Sequence, residues 1–196
     1  MCSIQESVNS FEKKLNLPKG FYLSLLKEDD WSFVIKLSAF LEAVCTDILL
    51  TKFKERNLEN SLAILDYANP RCGKINFLEK MEVIKKEQAQ ILYELAKIRN
   101  GIVHKIQNVD FSLDDYVKKL DKNQKKEFVR KFGYGIYDII EFKGLKIEKK
   151  NFVLENPKYA ISITIEEIVA CFYLEKELEI CKEALTFTIS PSNAKE

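Results

Sequence analysis

The chain contains a single histidine, six glycines and four prolines in 196 residues. One histidine excludes any metal site built on two or more imidazoles. So few turn-forming residues argue against a β fold of many short strands. An excess of one charge is also missing: Lys and Arg number 31 against 30 Asp and Glu, a formal net charge of +1. A nucleic-acid partner would therefore have to be met by local segregation of charge. The five cysteines, Cys2, Cys45, Cys72, Cys171 and Cys181, are odd in number and include no Cys-x-x-Cys pair. Neither a zinc site nor a disulfide framework is expected, and reduced thiols fit a cytoplasmic location. Cys45, among apolar residues, reads as a small buried thiol. The first residues lack the basic start and apolar run of a signal peptide. No apolar stretch approaches the roughly 20 residues that span a bilayer, so no membrane partner is expected. Walker-type loops, dinucleotide fingerprints and nucleophile elbows are absent, and no cofactor is expected.

What is present is helical periodicity. Hydrophobic residues make up 46% and charged residues 31%, a globular balance for one domain over residues 1–196. A short helix is expected near Ser7–Leu15, broken by Pro18-Lys19-Gly20. Asp29 or Asp30 is a candidate N-cap for a long helix from Trp31 to about Glu55. Its stripe is Val34, Leu37, Leu41, Val44 and Ile48, widened by Phe33, Phe40 and Leu49. After a turn at Asn57–Asn60 and a loop over 68–73, a short helix spans Lys74–Val83. A second begins near Glu87 with Ile91, Leu92, Leu95, Ile98, Ile102 and Val103 apolar. Ser112 and Asp115 have capping-box spacing before a charged helix over Asp114–Phe132. Gly133–Asn156 reads as a small hairpin or an irregular insert. Thr164-Ile165-Glu166-Glu167 reads as a capping box opening a helix to about Ala184, with Val169, Phe172, Tyr173, Leu178 and Cys181 toward the core. A tail, Ser190–Glu196, is expected to be disordered.

The chemistry-bearing segment is Leu95-Ala96-Lys97-Ile98-Arg99-Asn100-Gly101-Ile102-Val103-His104. Asn100 and His104 are four apart and share a helical face, and Arg99 borders it. Gly101 costs about 1 kcal/mol against alanine within a helix, so it marks a close backbone approach or a loosening of the helix. The trio suits RNA cleavage. Attack of a 2′-hydroxyl on the adjacent phosphorus requires a base, and departure of the 5′-oxygen requires an acid; an imidazole serves as either. A guanidinium holds the phosphate and stabilises its developing charge. One imidazole does not readily serve as acid and base together, so a two-fold dimer is expected to supply the second. The competing reading is structural, since a histidine at a helix end also serves as a C-cap or dipole partner.

The stretch Leu95–His104 resembles the HEPN signature, an Arg followed after four to six residues by His, with Asn after the Arg. Lys74–Ile84, a spacer and the Leu92–His104 helix are similar to the mannitol-operon repressor-like branch of that superfamily, as is the long helix Trp31–Phe53. A weaker similarity follows Asn156-Pro157-Lys158. The resemblance covers a core of about 25–113 and 156–186, and leaves an insert of about 114–155 without a counterpart. It implies an all-α bundle of four to five helices, a homodimer with the motif at its interface, and a metal-independent endoribonuclease with Arg99 and His104 catalytic and Asn100 orienting them. Toxin–antitoxin and phage-defence roles belong to this family, with an antitoxin or regulatory protein as partner. Its repressor-like branch also holds regulators in which these residues serve the fold, which is the alternative reading. A third reading is a toxin neutralised by nucleotide transfer, for which Tyr116 is the nearby candidate.

Glu42 lies among apolar residues and is expected to pair with Arg99 or His104, or else to face solvent; Asp47 reads as a surface residue. Lys97, Lys105, Lys118, Lys122 and Lys126 are candidate RNA-backbone contacts. Interleaved Asp114, Asp115, Asp121 and Glu127 favour a solvated, salt-bridged helix instead.

Overall fold

A computed structural model describes residues 4–104, 106–142 and 144–189. Cys2, Lys105 and the tail 190–196 lie outside the described residues. Helix α1 (Ile4–Lys14) buries Val8 and Phe11 and is followed by a reversal in which Asn16 takes a φ of 54°. After Pro18-Lys19-Gly20 comes the short α2 (Phe21–Ser24). Glu12, though buried, is satisfied: its carboxylate accepts the backbone N–H groups of Gly20 and Tyr22, each at 2.8 Å.

The long helix α3 (Asp30–Phe53) starts on Asp29, whose carboxylate accepts the Ser32 N–H at 2.8 Å. Hydrogen bonds from Ser32 hold that carboxyl below its usual range. The apolar positions expected along α3 are all buried. They extend round more than one face because the helix is packed from several sides. The short α4 (Glu59–Ala63) replaces the turn expected near Asn60, and α5 (Lys74–Lys80) and α6 (Lys86–Val103) follow. α3 packs on α4, α5 and α6, and on the C-terminal helix α10 described below.

The charged stretch over 114–132 is two helices, α7 (Leu113–Lys119) and α8 (Lys122–Phe132), not one. Ser112 caps α7 as expected, accepting from the Asp115 N–H at 3.3 Å. The break comes from a second cap: Asp121 accepts from Asn123 and Gln124 at 2.7 and 2.8 Å, and Gln124 accepts the Asp121 N–H at 2.9 Å. This reciprocal arrangement starts a new helix. Beyond it lies an antiparallel hairpin, β1 (Ile139–Phe142) with β2 (Leu145–Glu148), in register Ile139 to Glu148 and Phe142 to Leu145. Helix α9 (Lys149–Glu155) had no sequence signal that we could read. Val117, Phe128, Phe132 and Val153 from this stretch join the same core cluster as α3 and α6, so these residues are part of the packing rather than an appendage to it.

The Thr164-Ile165-Glu166-Glu167 segment is not a helix start. α10 runs Pro157–Ile189 and begins on proline, at a position where no backbone N–H is needed. Thr164 lies inside it, with its hydroxyl 2.8 Å from the Phe132 carbonyl and 3.0 Å from that of Tyr134. It ties the end of α8 to α10. Val169 and Phe172 are buried, and Tyr173 meets the Phe11 ring edge-on. Leu178 and Cys181, expected inside, are exposed, as are Leu174 and Leu185 on the same helix.

Asp47 is not a surface residue. It is 7% exposed and pairs with Lys14 at 3.0 Å and with Lys176, joining α1, α3 and α10. Cys45 is fully buried, which pushes its thiol far above its usual range. Among the described residues no helix is long and apolar enough to cross a membrane.

Candidate functional site

Helix α6 turns Ile91, Leu92, Leu95, Ile98 and Ile102 into the core. That orientation leaves Arg99 half-buried and Asn100 and His104 exposed at the helix end. The Arg99 guanidinium donates to the Asn100 side-chain carbonyl at 2.9 Å. Among the described residues, none of the three makes a side-chain hydrogen bond or ion pair with anything outside the trio.

His104 occupies the C-cap position of α6. Another side chain supplies the capping: Asn108 donates to the Gly101 carbonyl at 3.1 Å and reaches that of Ile102 at 3.5 Å. Two of the orphan carbonyls at the helix end are thus met without the imidazole. Gly101 is exposed, and a methyl group placed there would meet nothing within 4 Å. Among the described residues no close approach explains this glycine.

Arg99 and Asn100 line one side of a cavity of about 300 Å³. Ser38 and Glu42 of α3 and the loop residues Asp66 and Tyr67 line others. His104 does not line it. Glu42 shares the cavity with Arg99, but it pairs with neither Arg99 nor His104. Its partner is Lys74, whose ammonium lies 2.9 Å from the Glu42 carboxylate and 3.2 Å from the Ala63 carbonyl. Lys74 is 1% exposed and Glu42 40% exposed at the side chain. The buried cation needs a counter-charge, and Glu42 reaches inward from a half-open position to supply it.

The loop that carries Asp66 and Tyr67 is held at its far end by Gly73. The Gly73 N–H donates to Asn69 at 2.8 Å, and Lys74 and Ile75 return N–H groups to Asp66 and Tyr67 at 2.9 and 3.2 Å. A β-carbon on Gly73 would sit 2.5 Å from the Asn69 nitrogen and 2.6 Å from its carbonyl oxygen. Gly73→Ala is therefore expected to destabilise the fold by about 1–3 kcal/mol, the usual cost of overpacking. Urea unfolding checks this.

The lysines divide into groups. Lys122 and Lys126 border a groove between α8 and α9 together with Lys125 and Lys150, and no carboxylate lines it. Lys150 carried no signal in the sequence, being distant from the others along the chain. Lys118 pairs with Asp115, and Lys97 lies 3.8 Å from Glu94. Those two belong to the salt-bridged face, as do Arg130 with Glu127 and Lys131 with Glu94. Tyr116 packs between the rings of Phe111 and Phe128, and burial followed by the nearby Glu94 charge raises its phenol. It does not line the Arg99 cavity. Ser38, Asp66, Tyr67 and Lys74 escaped the sequence reading, because each reaches this site through tertiary packing rather than through a motif. Among the described residues no three His, Cys, Asp or Glu side chains converge as metal ligands would.

Compared with known proteins, the chain matches no protein-family profile, no curated protein and no solved structure.

Proposed function

We propose that the chain is a HEPN-type, metal-independent endoribonuclease that cleaves RNA at the Arg99–Asn100–His104 end of α6. The observation that carries this reading is that Asn100 and His104 are exposed and Arg99 half-buried at one end of α6, and that among the described residues no hydrogen bond or ion pair ties these side chains into the rest of the fold. A structural arginine or histidine would be bonded to the rest of the chain; here Asn108 does the capping, and among the described residues the Arg99 side chain donates only to Asn100. The helices α3, α5, α6 and α10 would form the HEPN-like bundle.

In this reading Arg99 holds the phosphate, and its bond to Asn100 fixes the direction of the guanidinium. His104 moves the proton on or off the reacting oxygens. A second copy of the chain brings the other imidazole. Exposed apolar Ile64 and Val109 lie near this end of α6, and Gly101 leaves room for a second backbone to approach. The groove of Lys122, Lys125, Lys126 and Lys150 would track the RNA backbone. Replacing Lys122, Lys126 and Lys150 together with alanine is expected to flatten the dependence of log K on log salt by about 2, since each single-strand phosphate contact contributes about 0.7. Fluorescence anisotropy at several salt concentrations measures it.

A toxin or phage-defence role, with an antitoxin as partner, follows from the same reading. The direct test incubates purified protein and its His104→Ala variant with RNA in EDTA. Cleavage by the wild type alone is the expected result. No cleavage by a well-folded dimer would reject the nuclease and leave the non-catalytic regulator.

A further inference from the structure

The cavity beside Arg99 holds polar groups that the folded chain leaves unused. Ser38 is 5% exposed, and its hydroxyl and that of Tyr67 are both buried without a hydrogen-bond partner. Both line the cavity. Buried polar groups are normally satisfied, so two orphan hydroxyls on residues that line one space point to something that occupies it. Glu42 gives one oxygen to Lys74 and, among the described residues, has no partner on the other. Asp66 gives one oxygen to the Ala68 N–H at 2.8 Å, which also leaves an acceptor at the cavity. The volume, about 300 Å³, is at the small end of ligand sites and suits one ring system rather than a run of nucleotides.

On the endoribonuclease reading, we propose that this cavity receives a guanine base of the RNA strand whose phosphate Arg99 holds. Single-stranded RNA is read by splaying out bases and bonding their Watson–Crick edges. A carboxylate with a spare oxygen only accepts, so it selects an edge rich in donors. Guanine presents two adjacent donors, N1–H and the N2 amino group, beside the O6 acceptor. The two N–H groups suit Glu42, and O6 suits a hydroxyl proton from Tyr67 or Ser38. Burial holds the Tyr67 phenol well above its usual range, reinforced by Cys45 and Glu42, so this hydroxyl keeps its proton to donate. Uracil presents one N–H flanked by two carbonyl acceptors, which would face the carboxylate unpaired. Arg99 belongs to the cavity wall and to the motif, so a base held here belongs to a nucleotide next to the scissile phosphate.

The test is cleavage of a randomised RNA library by the full chain, with the cut ends sequenced. Guanine is expected at one fixed position beside the cut, in about tenfold excess over uracil. Tyr67→Phe and Ser38→Ala remove only hydroxyls that have no partner, so these chains fold, and each is expected to reduce that excess severalfold. A flat base profile in the wild type, or a bias unchanged in both variants, overturns the proposal and leaves the nuclease standing. If the chain cuts no RNA, the nuclease reading fails and the cavity is judged separately. Guanosine and uridine 5′-monophosphates are then titrated into isotope-labelled protein and followed by NMR. Shifts at Ser38, Tyr67 and Asn100 with the guanosine nucleotide alone support the site; shifts with both nucleotides or with neither overturn it.

Discussion

His104→Ala and Arg99→Ala are each expected to slow RNA cleavage by at least about 100-fold, with no change in melting temperature. Proton transfer by a positioned imidazole is worth about 10²–10⁴ in rate, and a donor aimed at developing phosphate charge about 10²–10³. Among the described residues neither side chain is bonded into the rest of the fold: His104 is exposed, and Arg99 donates only to Asn100. Truncations of this kind at the surface usually change stability by under about 0.5 kcal/mol. Arg99→Lys keeps the charge but loses the planar fork, so it is expected to fall between alanine and wild type. Single-turnover rates beside thermal melts separate a lost catalytic group from a lost fold. A drop in activity that tracks a drop in melting temperature would assign these residues to structure.

The largest effect on stability is expected at Asp47. Its carboxylate is 9% exposed and holds Lys14 at 3.0 Å and Lys176 on its other oxygen. Three helices distant in sequence, α1, α3 and α10, meet there. The two pairs do not weigh equally. Lys14 is 48% exposed and can return to water, so its share is small. Lys176 is 14% exposed and lies 5.4 Å from the centre of the Phe11 ring, so it would be left buried without its counter-charge. Breaking a buried pair from one side costs about 3–5 kcal/mol, and the partial exposure here puts Asp47→Ala near the lower end of that range. Urea unfolding measures it. A loss under about 1 kcal/mol would mean that the pair is screened like a surface bridge.

Much of this fold was legible because α3 and α6 repeat their apolar residues at helical spacing, and because Asp29 and Ser112 cap as their side chains dictate. Legibility failed where tertiary partners override local signals. Thr164 has the composition of an N-cap, yet its hydroxyl is used against carbonyls 32 and 30 residues away. Asp121 splits a stretch whose charge pattern is continuous. Glu42 was identified as a carboxylate in need of a partner, but its partner, Lys74, lies 32 residues on, in a helix whose apolar stripe gives no hint of a buried cation. The segment Arg99–His104 could be placed at a helix end because that placement depends only on local spacing. The cavity beside it was not, since it is assembled from α3, α6 and the loop before α5.

RNA cleavage by internal attack of the 2′-hydroxyl is reported most directly by the ends of the products. RNA cut by the purified chain in EDTA should carry a 2′,3′-cyclic phosphate on one fragment and a 5′-hydroxyl on the other, as read by mass spectrometry. Fragments ending in a 3′-hydroxyl and a 5′-phosphate, or the same products from His104→Ala, would contradict it.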